Sequence, residues 1–135
     1  MAELFQVEII LPERTFYSGD ATMIEFTSVN GELGVYPRHI PLTTVVSPGV
    51  VKIHEESGIR SAAVHDGFAE ILPDKVTIMA ETAEWPEEID VKRAQEAKAR
   101  AEELLKRRDE KVDMDRAELA LKRALARMSL TEQKF

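Results

Sequence analysis

The chain has 135 residues, of which 44% are hydrophobic and 32% charged, a composition typical of a soluble globular protein of one domain or of one domain with an appendage. Because it contains no cysteine, disulfides, thiolate metal sites and cysteine nucleophiles are excluded. The formal net charge is −7, and no apolar run approaches the roughly 18 residues of a membrane span or follows a basic segment as in a signal peptide.

The first part of the chain contains six short segments rich in β-branched and aromatic residues, separated by turn signals such as Asp66-Gly67. The segments are Leu4–Leu11, Met23–Val29, Val45–His54, Ile59–Val64, Phe68–Leu72 and Val76–Met79. Short strands that recur every 8–12 residues or so predict a β-sandwich or flattened barrel. In the last segment apolar residues occupy both alternating sets of positions, so we expect this strand to be largely buried.

The stretch from Gly31 to Leu42 reads Gly-Glu-Leu-Gly-Val-Tyr-Pro-Arg-His-Ile-Pro-Leu, and its glycines and prolines suit a turn-rich connection between strands. It resembles the signature of the ε subunit of F-type ATP synthases, in which Gly-Glu-Leu-Gly, Pro-x-His-x-Pro-Leu and a later Pro-Gly recur. Pro48-Gly49 matches the last of these, and the segments Val64–Glu70, Val76–Ala80 and Ala83-Glu84 extend the resemblance over nearly the whole chain.

Two residues depart from that pattern. Arg38 and Asp66 stand where the family often has glycine. A left-handed backbone suits aspartate moderately well and arginine poorly, so the resemblance leaves the local geometry at Arg38 open.

From Asp90 onward the chain contains no glycine or proline and is dominated by good helix formers. Apolar residues repeat in alternating steps of three and four, the spacing of two packed helices. The two series are Ala94, Ala97, Ala101, Leu104 and Met114, Ala117, Leu121, Ala124, Met128. The sequence therefore predicts a β-sandwich over residues 1–88 and an antiparallel helical hairpin over residues 89–135, with its turn near residues 108–112. Burial of apolar surface stabilises by about 25 cal/mol per Å², and alanines bury little of it. We therefore expect the hairpin to be readily displaced from its resting place.

Charge is distributed unevenly between these two parts. Residues 1–88 carry 5 basic and 15 acidic side chains, whereas residues 89–135 carry 13 basic and 10 acidic. The acidic part argues against a nucleic acid as partner, and the basic part suits an acidic protein surface or a phosphate.

The heptad positions place arginines of both helices along one edge of the hairpin. Antiparallel pairing then brings Arg93 near Arg127 and Arg100 near Arg123, with Arg107 and Arg116 further along. Unpaired like charges repel, and a bound polyanion would remove that cost. A solvated basic face is the open alternative.

Some bacterial ε subunits bind ATP through an aliphatic-Asp-x-x-Arg-Ala motif, which Ile89, Asp90, Arg93 and Ala94 match. The resemblance extends to four more positions, namely Glu84, Arg100, Arg123 and Arg127. It implies that Glu84 and Asp90 contact the adenine or position neighbouring groups, and that the arginines hold phosphates. ATP would be a regulatory ligand, with no metal required. Asp90 also suits a helix N-cap, worth about 1 kcal/mol.

The resemblance further implies a non-catalytic rotor subunit that couples ring rotation to the catalytic hexamer. Its partners would be the γ subunit and the c ring, reached through Glu32 and His39, on the cytoplasmic side of the cell membrane and only through the complex. The hairpin would inhibit ATP hydrolysis by contacting the α and β subunits. The inhibitory residues would be Lys106, Arg107, Arg108, Arg116 and Lys122.

Two other functions compete with this one. A purely structural stalk adaptor would use the same arginines for protein contacts alone and bind no nucleotide. An independent enzyme is disfavoured, because the sequence shows no nucleophile–base pair, no phosphate loop and no metal-ligand spacing among its three histidines.

Overall fold

The computed structural model describes residues 3–107 and 113–132, and in that part of the chain eight strands precede two helices. The strands are β1 (Phe5–Ile10), β2 (Thr15–Ala21), β3 (Met23–Ser28), β4 (Gly31–Val35), β5 (Leu42–Val46), β6 (Gly49–Glu55), β7 (Gly58–Ile71) and β8 (Lys75–Glu84). A 3-10 turn, Pro86–Glu88, leads to α1 (Val91–Arg107) and α2 (Met114–Glu132). The predicted sandwich followed by helices is confirmed, whereas the turn predicted at 108–112 lies outside the described residues.

The strands pair in the order β2-β1-β8-β7-β5-β3-β4, and β6 pairs with both β3 and β7. β1 and β8 run parallel, and the other pairs are antiparallel. β7 pairs with β6 over its first half, with β5 over its last five residues and with β8 from Ala63 to Ile71. It therefore takes part in both layers and joins them at a corner. Every strand contributes at least one residue to the core between the layers, and in β3 the alternate residues Ile24 and Phe26 do so.

The corner lies at Asp66 and Gly67, where β7 leaves β6 and begins to pair with β5. Asp66 has a φ of 58°, in the left-handed region. Val64 before the corner and Ala69 after it both face the core, so the inward alternation shifts by one residue there. A Cβ on Gly67 would lie 1.9 Å from the carbonyl oxygen of Met79, which explains the glycine. The prediction of a turn between two separate strands here is wrong, because β7 is continuous.

Three further details correct the sequence prediction. β2 and β4 were not among the predicted segments, because Ser18-Gly19-Asp20 and the stretch from Gly31 are rich in turn-forming residues. The segment predicted over Val45–His54 is two strands, β5 and β6. The last strand is buried on one face only, since Met79 on its outer face is exposed. Arg38 does adopt a left-handed φ, 65°, which is the conformation that glycine favours at this place.

The helices begin and pack as their sequence predicts. Asp90 caps α1, because its Oδ1 accepts a hydrogen bond from the backbone N–H of Arg93 at 3.1 Å. Asp113 caps α2 in the same way through Arg116. Alanines of the predicted seam are buried, which lets the two helices approach closely. They are Ala94, Ala101, Ala117 and Ala124.

α2 also has a second apolar face, which the heptad analysis missed and which docks the hairpin on the sandwich. Ala126 and Leu130 pack with Ala63 of β7 and with Ile89, flanked by Val50 of β6. This small cluster is separate from the main core of the sandwich. Within the described ranges, neither helix combines the length and the apolar character that crossing a membrane requires.

Candidate functional site

A cavity of about 400 Å³ lies where the end of β8, the start of α1 and the middle of α2 meet. It is lined by Glu84, Glu88, Asp90, Arg93, Ala94, Ala97, Arg100 and Arg127. Its volume is in the range of small-molecule sites, roughly 300–1,000 Å³. Six of the eight residues predicted to contact ATP therefore share one cavity. Their role in binding stays a prediction.

The two kinds of charge are spread along the cavity. Asp90 stands at the start of α1 and Arg100 ten residues further, a rise of about 15 Å along the helix axis. Within the described part of the chain, Arg93 and Arg100 form no ion pair and both are exposed. The cavity can therefore offer carboxylate oxygens to a hydrogen-bond donor at one end and guanidinium groups to an anion along α1.

Arg127 is already paired with the sandwich. Its Nε lies 2.5 Å from Oε1 of Glu84, the last residue of β8. The prediction of an unpaired, mutually repelling arginine edge is therefore corrected at this position. The physical reason is that heptad geometry considers the two helices alone, whereas an acidic side chain of the sandwich reaches Arg127.

Two of the predicted residues do not line the cavity. Ile89 is buried in the apolar cluster beneath the hairpin, so its aliphatic side chain contributes packing. Arg123 turns to β7, where its Nη2 and Nε lie 2.6 and 2.9 Å from Oδ2 of Asp66. A second guanidinium of the predicted edge is thus neutralised by the sandwich.

Glu88 belongs to the cavity, although it was not among the residues predicted to contact ATP. Its Oε1 accepts a hydrogen bond from the backbone N–H of Trp85 at 2.9 Å, and it closes the short turn before α1. The signal was present: proline follows Trp85 and a glutamate stands three residues after it, as at many helix starts.

Trp85 fixes the junction between the sandwich and the hairpin. Its ring stacks on Phe16 with centroids 4.4 Å apart, and the guanidinium of Arg60 lies 4.1 Å from the ring centroid on the indole. The neighbouring carboxylates Glu84 and Glu88 are therefore held at the mouth of the cavity. Nothing in the sequence spacing indicated this cluster.

His65 lies under α2 beside the cavity residues. It is fully buried, two residues along β7 from Ala63 and on the same face, and neither ring nitrogen has a hydrogen-bond partner. Burial, helped by the charge of Arg127 and Arg123, lowers the pKa of His65 from 6.5 to about 4, against a smaller opposite effect of Asp66. The docked hairpin therefore covers a neutral histidine.

The residues predicted to contact other subunits lie at the surface. Lys106, Arg107, Arg116 and Lys122 are exposed, and Arg108 lies outside the described residues. Glu32 is exposed on β4, and His39 is half-exposed in a loop. That loop also exposes two large apolar residues, Tyr36 and Ile40. The partners of all these residues stay predictions.

The outer face of the sandwich carries a row of uncovered apolar side chains. Val45, Phe68 and Met79 stand opposite one another on β5, β7 and β8. They are 53%, 45% and 42% exposed. Contiguous apolar surface of this kind is typical of protein–protein contacts.

No cluster of three His, Asp or Glu side chains within residues 3–107 and 113–132 is arranged to hold a metal ion.

Two family models cover the chain almost end to end. One, described as the beta-sandwich domain of the ATP synthase Delta/Epsilon chain, matches residues 4–86. The other, described as the long alpha-helix domain of the ATP synthase Delta/Epsilon chain, matches residues 87–132.

Individual relatives agree with these matches. The chain is 44% identical to the ATP synthase epsilon chain of Ruminiclostridium cellulolyticum over 130 residues, covering 96% of this chain and 97% of that one. It is 45% identical to the ATP synthase epsilon chain of Halalkalibacterium halodurans over 125 residues, covering 92% and 94%. A chain in the cryo-EM structure of Euglena gracilis mitochondrial ATP synthase (OSCP/F1/c-ring) shares the fold with a TM-score of 0.80 at 22% identity, covering 91% of this chain and 78% of that chain.

Proposed function

Because this chain belongs to the family of ATP synthase epsilon chains, we propose that its cavity binds ATP as a regulatory ligand and so holds the helical hairpin against the sandwich. The chain is an epsilon subunit of the F-type ATP synthase central stalk and is not itself catalytic. The observation that carries the proposal is the cavity between hairpin and sandwich, with two arginines that form no ion pair within the described residues beside three carboxylates.

The donors and acceptors of the cavity suit the two ends of ATP. The carboxylates of Glu84 and Asp90 are acceptors, which fits the exocyclic amino group of adenine. The guanidinium groups of Arg93 and Arg100 are planar donors that match phosphate oxygens, and Arg127 adds a third once its bond to Glu84 is shared. Because these groups neutralise the phosphates directly, the site requires no metal ion.

Nucleotide binding at this place is linked to the position of the hairpin. The cavity is lined by β8, α1 and α2, so its wall is complete only while the hairpin is docked. A ligand that binds only the docked form stabilises it by RT ln(1 + [L]/Kd). High ATP then keeps the hairpin docked and the enzyme active, whereas low ATP releases it.

The released hairpin inhibits ATP hydrolysis by contacts with acidic surfaces of the α and β subunits. The basic residues that serve this contact are Lys106, Arg107, Arg108, Arg116 and Lys122. The sandwich meanwhile stays on the stalk: its apolar row Val45–Phe68–Met79 faces the γ subunit, and the loop of His39 together with Glu32 faces the c ring. The subunit reaches the cytoplasmic side of the cell membrane only through this complex.

Substitution of the cavity arginines tests the proposal in the assembled enzyme. We expect Arg93→Ala and Arg127→Ala to keep ATP hydrolysis inhibited up to about tenfold higher ATP, because each removes a charge-assisted bond to phosphate. The measurement is ATPase activity against ATP concentration. Lys98→Ala, on the same helix but outside the cavity, is the matched control. Equal ATP dependence in all variants would refute the sensor.

A structural stalk adaptor that binds no nucleotide is the second candidate. It is favoured by one observation: Arg123 and Arg127 are already neutralised by Asp66 and Glu84, so docking of the hairpin needs no anion. In that case charge reversal at the exposed basic residues weakens inhibition, and the ATP concentration has no effect on hairpin docking.

A further inference from the structure

Two parallel ion pairs connect α2 to the sandwich. Arg123 contacts Asp66 of β7, and Arg127, one helical turn further, contacts Glu84 of β8. All four side chains are about one-third exposed or less, at 27% to 34%. Only the second pair borders the cavity, since neither Arg123 nor Asp66 lines it.

The position of the Asp66 carboxylate depends on the corner in β7. In an uninterrupted strand, residue 66 would face the core like Val64, because side chains alternate. The left-handed φ of 58° interrupts the alternation and leaves Asp66 half-buried at the surface, next to α2. Aspartate is one of the few residues other than glycine that tolerate this conformation. Asp66 thus provides both the left-handed backbone conformation of the corner and the carboxylate that pairs with Arg123.

We propose that Asp66 is a positioning residue that keeps the hairpin docked without nucleotide and withholds Arg123 from the phosphate end of the cavity. Its second part rests on the proposed ATP site. While Asp66 holds Arg123, the arginines that can bind the phosphates of a nucleotide in the cavity are Arg93, Arg100 and Arg127. Removal of the Asp66 charge weakens the docking of the hairpin in the absence of nucleotide. It also frees the guanidinium of Arg123 to bind phosphate.

A single cysteine reports hairpin docking in this otherwise cysteine-free chain. Ala126→Cys places a thiol in the buried contact between α2 and Ala63. It reacts with a thiol reagent such as DTNB only when the hairpin opens, so the rate is proportional to the open fraction. If the cysteine itself loosens the contact, hydrogen exchange of the α2 amides in the cysteine-free chain replaces it, because the ratio of exchange rates between variants also reports the ratio of their open fractions.

Without nucleotide, Asp66→Asn is expected to raise the thiol rate about fivefold, as for loss of a partly exposed ion pair. Asparagine also tolerates the left-handed backbone, so the corner itself is kept. Glu81→Gln is the control, because Glu81 is an exposed carboxylate of β8 with no ion pair in the described part of the chain. An unchanged rate in Asp66→Asn, or an equal rise in Glu81→Gln, would overturn the role of Asp66 in docking.

ATP titration of the same rate tests the withholding of Arg123. The ATP concentration that halves the rate equals the Kd of the docked form when most hairpins are docked. We expect Asp66→Asn to lower this Kd several-fold and Asp66→Asn/Arg123→Gln to reverse the gain. An unaltered Kd in Asp66→Asn overturns the withholding. If ATP slows no variant, the proposed ATP site fails, while the nucleotide-free rates still decide the docking role.

Discussion

Replacement of Gly67 by alanine is expected to lower the free energy of unfolding by about 3 kcal/mol or more. A Cβ at this position would lie 1.9 Å from the carbonyl oxygen of Met79 and 2.8 Å from the Cα of Ala80. Both neighbours are backbone atoms of β8, so no side-chain rotation relieves the clash. The alanine therefore forces β7 and β8 apart at the corner. This corner is the place that positions Asp66 and His65 beneath α2. Urea unfolding followed by the fluorescence of Trp85 measures the loss.

Gly34→Ala is the matched control for this substitution. Its Cβ would meet the Cε of Met23 at 2.7 Å, but that atom is the far end of a flexible side chain and can move away. We therefore expect a change of about 1 kcal/mol or less. If Gly67→Ala were no more destabilising than Gly34→Ala, the close backbone approach of β7 and β8 at the corner would be refuted.

Acidification is expected to lower the free energy of unfolding through His65, which lies beneath the docked hairpin. The folded chain holds the pKa of His65 near 4, below its ordinary value of 6.5, so the unfolded chain binds the proton more tightly. The stabilisation is therefore complete above about pH 6.5 and is lost as the pH falls toward 4. By linkage the loss at pH 5 is about 2 kcal/mol. Arg123 and Arg127 on α2 and Asp66 on β7 are the charges that face this imidazole.

His65→Leu isolates this effect from the titration of the carboxylates. Leucine fills a similar space and leaves no buried nitrogen without a partner, so we expect no loss of stability at pH 7.5. Urea unfolding at pH 7.5, 6 and 5 should show a shallower decline for His65→Leu than for the unsubstituted chain. His39→Gln, at a half-exposed histidine, should leave the decline as it is. Parallel pH profiles for His65→Leu and the unsubstituted chain would contradict the account.

Local signals predicted the elements that depend on local chemistry. The hairpin follows from the alanine seam at heptad spacing, and the N-cap of α1 follows from Asp90 ahead of a helix-forming run. The corner of β7 could not be predicted in the same way. Asp66-Gly67 is the same signal for a hairpin turn as for a bend in one strand, and only the pairing with β5 and β6, distant in sequence, decides between them.

The candidate site was predictable to a similar extent. Heptad geometry and the family motif placed Arg93, Arg100 and Arg127 together, because all three depend on the mutual register of two helices. Neither could show that Arg123 pairs with Asp66, or that Ile89 is buried under the hairpin, because both depend on how α2 docks on the sandwich. The docking face of α2 is small and alanine-rich, so it gives little signal in the sequence.

Titration calorimetry of the isolated chain with ATP tests the central claim most directly, with and without magnesium and beside the Arg93→Ala variant. The account predicts saturable binding by the unsubstituted chain in both conditions and at least tenfold weaker binding by the variant. Absence of binding up to millimolar ATP would contradict it. The cavity arginines would then serve contacts with other subunits.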